Sequence, residues 1–261
     1  MKIIQTISLC AAMTLSAGSV TAQTLDQQAD SAYSADRFEE AAALYRQAMD
    51  EYGPSPELYY NLGNSYYRLG APGKAIVAYE RALRIDPTFS DARTNLEFVN
   101  SRLADRQGER GSFMSNAFDR LATTLTPNGW AWVAFAIFAL CMVCVALYIL
   151  TDTVIIRKAG FFGGILLLLT SAGAMLTALR ARNISRADNM AVIIAPSTIL
   201  STSPREPKDR NEEAMLLHEG VKLQILDSIS ERSDTTGLKW FDVQIDNNHR
   251  AWIKSTDVEK I

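Results

Sequence analysis

Three patterns of apolar and polar positions succeed one another along the chain, and each predicts a different kind of element. Up to about residue 107, small and aromatic residues recur on one side of short amphipathic helices. Residues 130–150, "WAWVAFAIFALCMVCVALYIL", and 159–179, "AGFFGGILLLLTSAGAMLTAL", carry no charged side chain. At 1.5 Å per residue each run covers about 30 Å, the thickness of bilayer hydrocarbon, and predicts a transmembrane helix. A helix buried in a soluble core would give the same run. The intervening "TDTVIIRK" (151–158) predicts a short cytoplasmic loop, and Gly160, Gly163, Gly164, Ser171 and Gly173 allow close helix approach. Over 187–261 the period drops to two, in short β-branched and aromatic runs separated by turn residues, which predicts strands. The charged stretch 203–215, "SPREPKDRNEEAM", predicts a mobile loop between the first two strands.

A fourth apolar block lies at the start, "MKIIQTISLCAAMTLSAGSVTAQ". Lys2 supplies a positive end, a modestly apolar stretch comes next, and Val20 and Ala22 are small residues at cleavage spacing, so 1–22 predicts a signal peptide. An uncleaved anchor is the alternative. Export of the chain beyond residue 22 places both soluble parts on the periplasmic side of the inner membrane and the 151–158 loop in the cytoplasm. Arg180, Arg182 and Arg186 on the exit side of the second apolar run pull the other way under the positive-inside rule. Before the first run, residues 108–129 place Phe113, Phe118, Leu121 and Leu125 near helical spacing. Either a helix on the membrane surface or one packed under the repeats fits, and Thr126-Pro127-Asn128-Gly129 is expected to break the chain.

The N-terminal helices repeat. Ala29, Tyr33, Ala41, Tyr45 and Ala48 return 34 residues later as Gly63, Tyr67, Ala75, Tyr79 and Ala82. Residues 56–89 carry Tyr59 in a large aromatic slot, then Leu62-Gly63, Tyr66, Ala75, Tyr79, Ala82 and Pro87, and resemble the tetratricopeptide repeat. The units are 22–55, 56–89 and a capping helix over 90–106. Such arrays hold peptides or proteins in the groove of their first helices, and the candidates here are Tyr60, Asn64, Tyr67, Arg68 and Asn95. Asn64 and Asn95 resemble half of a carboxylate clamp, although Tyr60 stands where that clamp uses a lysine. The alternative is that these groups face water.

The strand pattern "LHEGVKLQILD…WFDVQIDNNHRAWI…DVEKI" resembles the bacterial SH3-like domain, which implies a five-stranded barrel; Ala251 and Asn248 replace its usual glycines. Trp240, Phe241 and Trp252 either line a groove for peptide or peptidoglycan or fill the core. Asp246-Asn247-Asn248 predicts a hairpin turn.

Chemistry is sparse. The net charge is −3 with no basic cluster, which excludes a nucleic-acid surface. The two histidines, His218 and His249, come late and lack ligand-spaced partners, so no metal is expected. Of three cysteines, Cys10 lies in the signal and Cys141 and Cys144 in an apolar run, where desolvation disfavours thiolate. No catalytic residue and no cofactor are expected. Taken together, signal, repeats, membrane hairpin and SH3-like domain resemble the BatE family of the Bacteroides aerotolerance operon. The resemblance implies a non-enzymatic envelope scaffold that binds von Willebrand factor A-type membrane proteins, alongside a MoxR-type ATPase. The alternative is a cell-wall sensor gripping peptidoglycan through the SH3-like domain.

Overall fold

The computed structural model describes residues 24–106, 111–230 and 239–261; the expected signal peptide lies outside them. Five helices come first: α1 (Leu25–Ser34), α2 (Phe38–Tyr52), α3 (Pro56–Arg68), α4 (Pro72–Ile85) and α5 (Ser90–Asn100). They form two antiparallel hairpins and a closing helix. The small residues sit where helices cross: Ala29, Ala41, Ala48, Ala75, Ala82 and Ala92 are all fully buried. Gly63 answers to a single neighbour, because a Cβ there would come within 2.6 Å of Tyr79 Cε1. Helix starts obey local chemistry. In α3, Pro56 occupies the first turn and Ser55 Oγ accepts the Leu58 N–H at 3.2 Å.

Three further helices come next: α6 (Phe113–Ala122), α7 (Pro127–Leu150) and α8 (Val154–Ser185). Both α7 and α8 are long and apolar enough to cross a membrane. Thr126-Pro127-Asn128-Gly129 is a helix start rather than a break: Thr126 Oγ1 accepts the Gly129 N–H at 3.0 Å, with Pro127 in the first turn. The expected 151–158 loop shrinks to residues 151–153, since Arg157 and Lys158 lie inside α8. Charged side chains end a hydrocarbon-crossing segment but not a helix. Where α7 and α8 pack, a Cβ on Gly160 would come within 2.8 Å of Cys144 O, whereas Gly173 faces open space. Ser171 Oγ donates to Ala134 O at 2.9 Å across the pair.

The remainder is one antiparallel sheet of seven strands: β1 (Met190–Ile193), β2 (Ser197–Ser201), β3 (Glu213–His218), β4 (Lys222–Ser230), β5 (Lys239–Gln244), β6 (Arg250–Lys254) and β7 (Val258–Lys260). The strand order is β3-β2-β6-β5-β4-β1-β7. The sheet is open, with β3 and β7 at its edges, so the five-stranded closed barrel is replaced by seven strands without hydrogen-bonded closure. One additional strand is β3, which takes up the end of the stretch expected to be a mobile loop; Ser197–Leu200 of β2 pairs along it from His218 to Met215. The expected hairpin turn is present. Asp246 Oδ1 accepts the N–H groups of Asn248 at 2.7 Å and His249 at 2.8 Å. Ala251, in place of a glycine, is buried in the sheet core with Leu223, Val243 and Ile253.

The repeat and the sheet share a boundary with its own core. β1 reads "MAVI", and its alternation splits it between two cores: Ala191 and Ile193 face the sheet interior, while Val192 packs among Ile76, Ala82 and Val99 of the helices. Ile194 and Ile261 join Val192 there. Around this patch Arg81 pairs with Glu259 at 2.7 Å and donates to Lys260 O, and Lys222 pairs with Glu80 at 2.7 Å. Asp105, just beyond α5, accepts the His218 N–H at 2.7 Å.

Candidate functional site

The groove of the repeat is built from α1, α3 and α5. Its floor rests on one relationship used twice. In the first unit Tyr45 donates to Asp30 at 2.6 Å, and in the second Tyr79 donates to Asn64 at 2.8 Å. Each tyrosine is held by the helix crossing, and each acceptor stands fifteen residues before it. Burial pushes both phenols well above their ordinary range, so both stay protonated donors.

Asn64 is the centre of the network. Its Oδ1 accepts from Tyr79 and, at 2.8 Å, from Asn95 Nδ2, which also reaches the Tyr60 hydroxyl at 3.4 Å. Fixing Oδ1 in this way turns the Asn64 amide NH2 away from these partners. Beside it, Tyr67 packs edge-on against Phe98, and Arg102 lies over Phe98 while donating to the Tyr67 hydroxyl at 3.3 Å. Arg68 stacks over Phe38 at 4.2 Å and pairs with Asp36 at 2.9 Å.

A cavity of about 200 Å³ opens here, and its lining includes Asn64, Tyr67, Arg68 and Asn95. Four of the five groove candidates are thus brought together. Tyr60 sits beside them, tilted against Tyr79 and edge-on to Phe89. Its position in the repeat marks Tyr79 for packing alone, yet its hydroxyl is part of the groove floor. The signal is present in the chain: Tyr45 and Tyr79 repeat together with Asp30 and Asn64. Phe98 and Arg102 escape notice in the sequence because the closing helix departs from the repeat pattern.

Among the described residues the three aromatic candidates of the sheet do not form an exposed groove. Trp240 is 2% exposed and Phe241 7% exposed, on opposite faces of β5, and only Trp252 is partly exposed. Phe241 belongs to the sheet core, and Lys254 covers Trp240 while pairing with Glu206. Among the described residues no three His, Cys, Asp or Glu side chains gather closely enough to hold a metal ion. His249 instead binds Asp246, holding that carboxyl below its usual range.

Residues 56–89 match the tetratricopeptide repeat family. Among curated proteins nothing matches the chain. Repeats of this kind are generally protein-interaction modules, in which stacked helices offer a concave surface rather than a reacting group.

Proposed function

We propose that the chain is a non-enzymatic, membrane-anchored scaffold that holds a partner protein in its repeat groove. The observation that carries this reading is the polar floor of Asn64, Asn95 and Tyr79 under a cavity walled by Tyr67, Arg68 and Phe98. Fixed amide groups between aromatic walls suit the backbone and side chains of an extended peptide. Arg102, stacked on Phe98 beside the cavity, favours an acidic or carboxylate-bearing segment, whereas Arg68 is already paired with Asp36.

In this reading α7 and α8 cross the inner membrane as a hairpin, with the repeat and the sheet both on the periplasmic side. The shared core at Val192 supports a common side, since the two parts touch. The exposed apolar side chains of α6, Phe113 and Met114 among them, fit a helix lying at the membrane surface. The resemblance to the BatE family and its SH3-like domain names the partner class, von Willebrand factor A-type membrane proteins of an aerotolerance system. The cell-wall alternative is weakened by the burial of Trp240 and Phe241.

The test is a photo-crosslinking residue at Tyr67 in the full chain within its native membranes. Crosslinks to a von Willebrand factor A-type protein that vanish in Asn64→Ala are expected. Crosslinks that persist unchanged in Asn64→Ala would remove the groove from the proposal. A reporter fused after Ile261 that is active only in the cytoplasm would reverse the orientation.

A further inference from the structure

A second cavity, of about 580 Å³, lies where the apolar helices meet both soluble parts. Its position is fixed by sequence. The α8 residues in its wall begin at Arg180, immediately after the 159–179 apolar run, and the α6 residues Asp119 and Ala122 come just before α7 starts at Pro127, as does Thr123. If α7 and α8 span a bilayer, this cavity lies at the level of the lipid headgroups.

Its side-chain charges are unbalanced. Four cations line it: Arg84, Arg93, Arg180 and Lys222. Two side-chain carboxylates line it as well, Glu80 and Asp119, and each is already engaged. Lys222 pairs with Glu80 at 2.7 Å, and Arg180 grips Asp119 with two bonds of 2.6 and 2.9 Å. Arg84 pairs at 3.2 Å with Asp188, which is itself largely in water. Among the described residues Arg93 has no carboxylate partner; its guanidinium is held only by Pro87 O at 2.6 Å and Thr123 O at 3.4 Å. Those carbonyls anchor one amino group, Nη2, and leave the other without a bond to a described residue. Arg120, Arg182 and Arg186 are exposed around the same end of the helices and form no ion pair among the described residues. Leu83, Ile184 and Met190 give the cavity an apolar side.

A half-buried planar guanidinium without a counter-ion, among further cations and beside an apolar wall, matches one chemistry: a phosphate attached to something hydrophobic. We propose that this cavity binds the phosphate of an anionic phospholipid, with Arg93 as the principal contact. The proposal rests on the membrane reading of α7 and α8. Of the arginines that sit awkwardly under the positive-inside rule, it gives Arg180 a local role in the cavity wall at the membrane surface.

The test uses the full chain, extracted in detergent and returned to nanodiscs of mixed phosphatidylglycerol and phosphatidylcholine, with retained lipid read by native mass spectrometry. The wild type is expected to retain phosphatidylglycerol preferentially. Arg93→Gln should lower that retention about tenfold, as expected for losing a hydrogen-bonding partner of a charged group. Arg93→Lys should be intermediate, keeping charge without the fork, and guards against a misfolded Gln variant. Arg205→Gln, on the β2–β3 connection, should change nothing. Equal retention by wild type and both Arg93 variants refutes the site. Displacement of all bound lipid by millimolar inorganic phosphate, with no headgroup preference, assigns the site to soluble phosphate and overturns the lipid. Release of the chain from membranes by alkaline carbonate would instead overturn the membrane reading, and this proposal with it.

Discussion

The Glu219 carboxylate accepts a hydrogen bond at 2.9 Å from the backbone N–H of Gly73, 146 residues earlier in the chain. Helix α4 begins after Ala71, whose side chain cannot cap, so an acidic residue between β3 and β4 serves the first turn of a helix in another part of the molecule. Gly73 is a glycine for the same reason. A Cβ there would fall inside contact distance of Ile193 O and 2.7 Å from Glu219 Cγ. Gly73→Ala is therefore expected to lose about 1–3 kcal/mol, the usual range for overpacking. Urea unfolding of the detergent-solubilised full chain checks it.

The pH dependence of this contact has a definite sign. Burial raises the Glu219 carboxyl above its ordinary value, opposed by the Gly73 N–H and by Lys74. A raised folded-state value means the folded chain holds the proton more tightly than the unfolded one. Stability from this group is full below the ordinary carboxylate value and is lost as pH rises through the raised one. Melting wild type and Glu219→Gln side by side from pH 7 to pH 4 should show the wild type gaining on the variant as pH falls. A constant difference would refute the linkage.

In the groove, Tyr79→Phe and Asn64→Ala break the same bond from opposite ends with unequal results. Tyr79→Phe removes a donor and should cost about 1 kcal/mol. Asn64→Ala strands a buried tyrosine hydroxyl and should cost about 1–3 kcal/mol. Denaturation of the two variants and their double measures the coupling. Equal effects would mean that the hydroxyl finds another partner.

Between the long helices, Gly160→Ala should separate α8 from α7, whereas Gly173→Ala should leave the pair intact. A methyl at Gly160 meets Cys144 O, and one at Gly173 meets nothing. Maleimide labelling of Cys144 in membranes is the readout: faster in the first variant, unchanged in the second.

The repeat was legible because its signal is local. Small residues at a 34-residue interval have one packing explanation, and Gly63 under Tyr79 bears it out. Helix ends were less legible, since Thr126-Pro127 serves equally as a chain break and as a helix start. Strand β3 was hidden by the charges of Asp209–Glu213, which mask the strand beyond them. Trp240 and Phe241 fitted either a groove or the core: adjacent strand residues point to opposite faces, and sequence does not reveal that both faces of β5 are covered. Least legible was the boundary between repeat and sheet. Val192 with Ile76, Glu219 with Gly73 and Arg81 with Glu259 join residues more than 100 positions apart, and no periodicity encodes them.

A helix capped from the far end of its own chain imposes an order of assembly. When α4 leaves the ribosome, neither Glu219 nor Val192 has been made, and Ile76 has no strand to cover it. Both apolar helices must be synthesised before the strands that finish the repeat exist. The groove-bearing repeat thus waits, incompletely packed, until the last part of the polypeptide returns to it, and a chain cut short after α8 would carry the repeat sequence without its finished form.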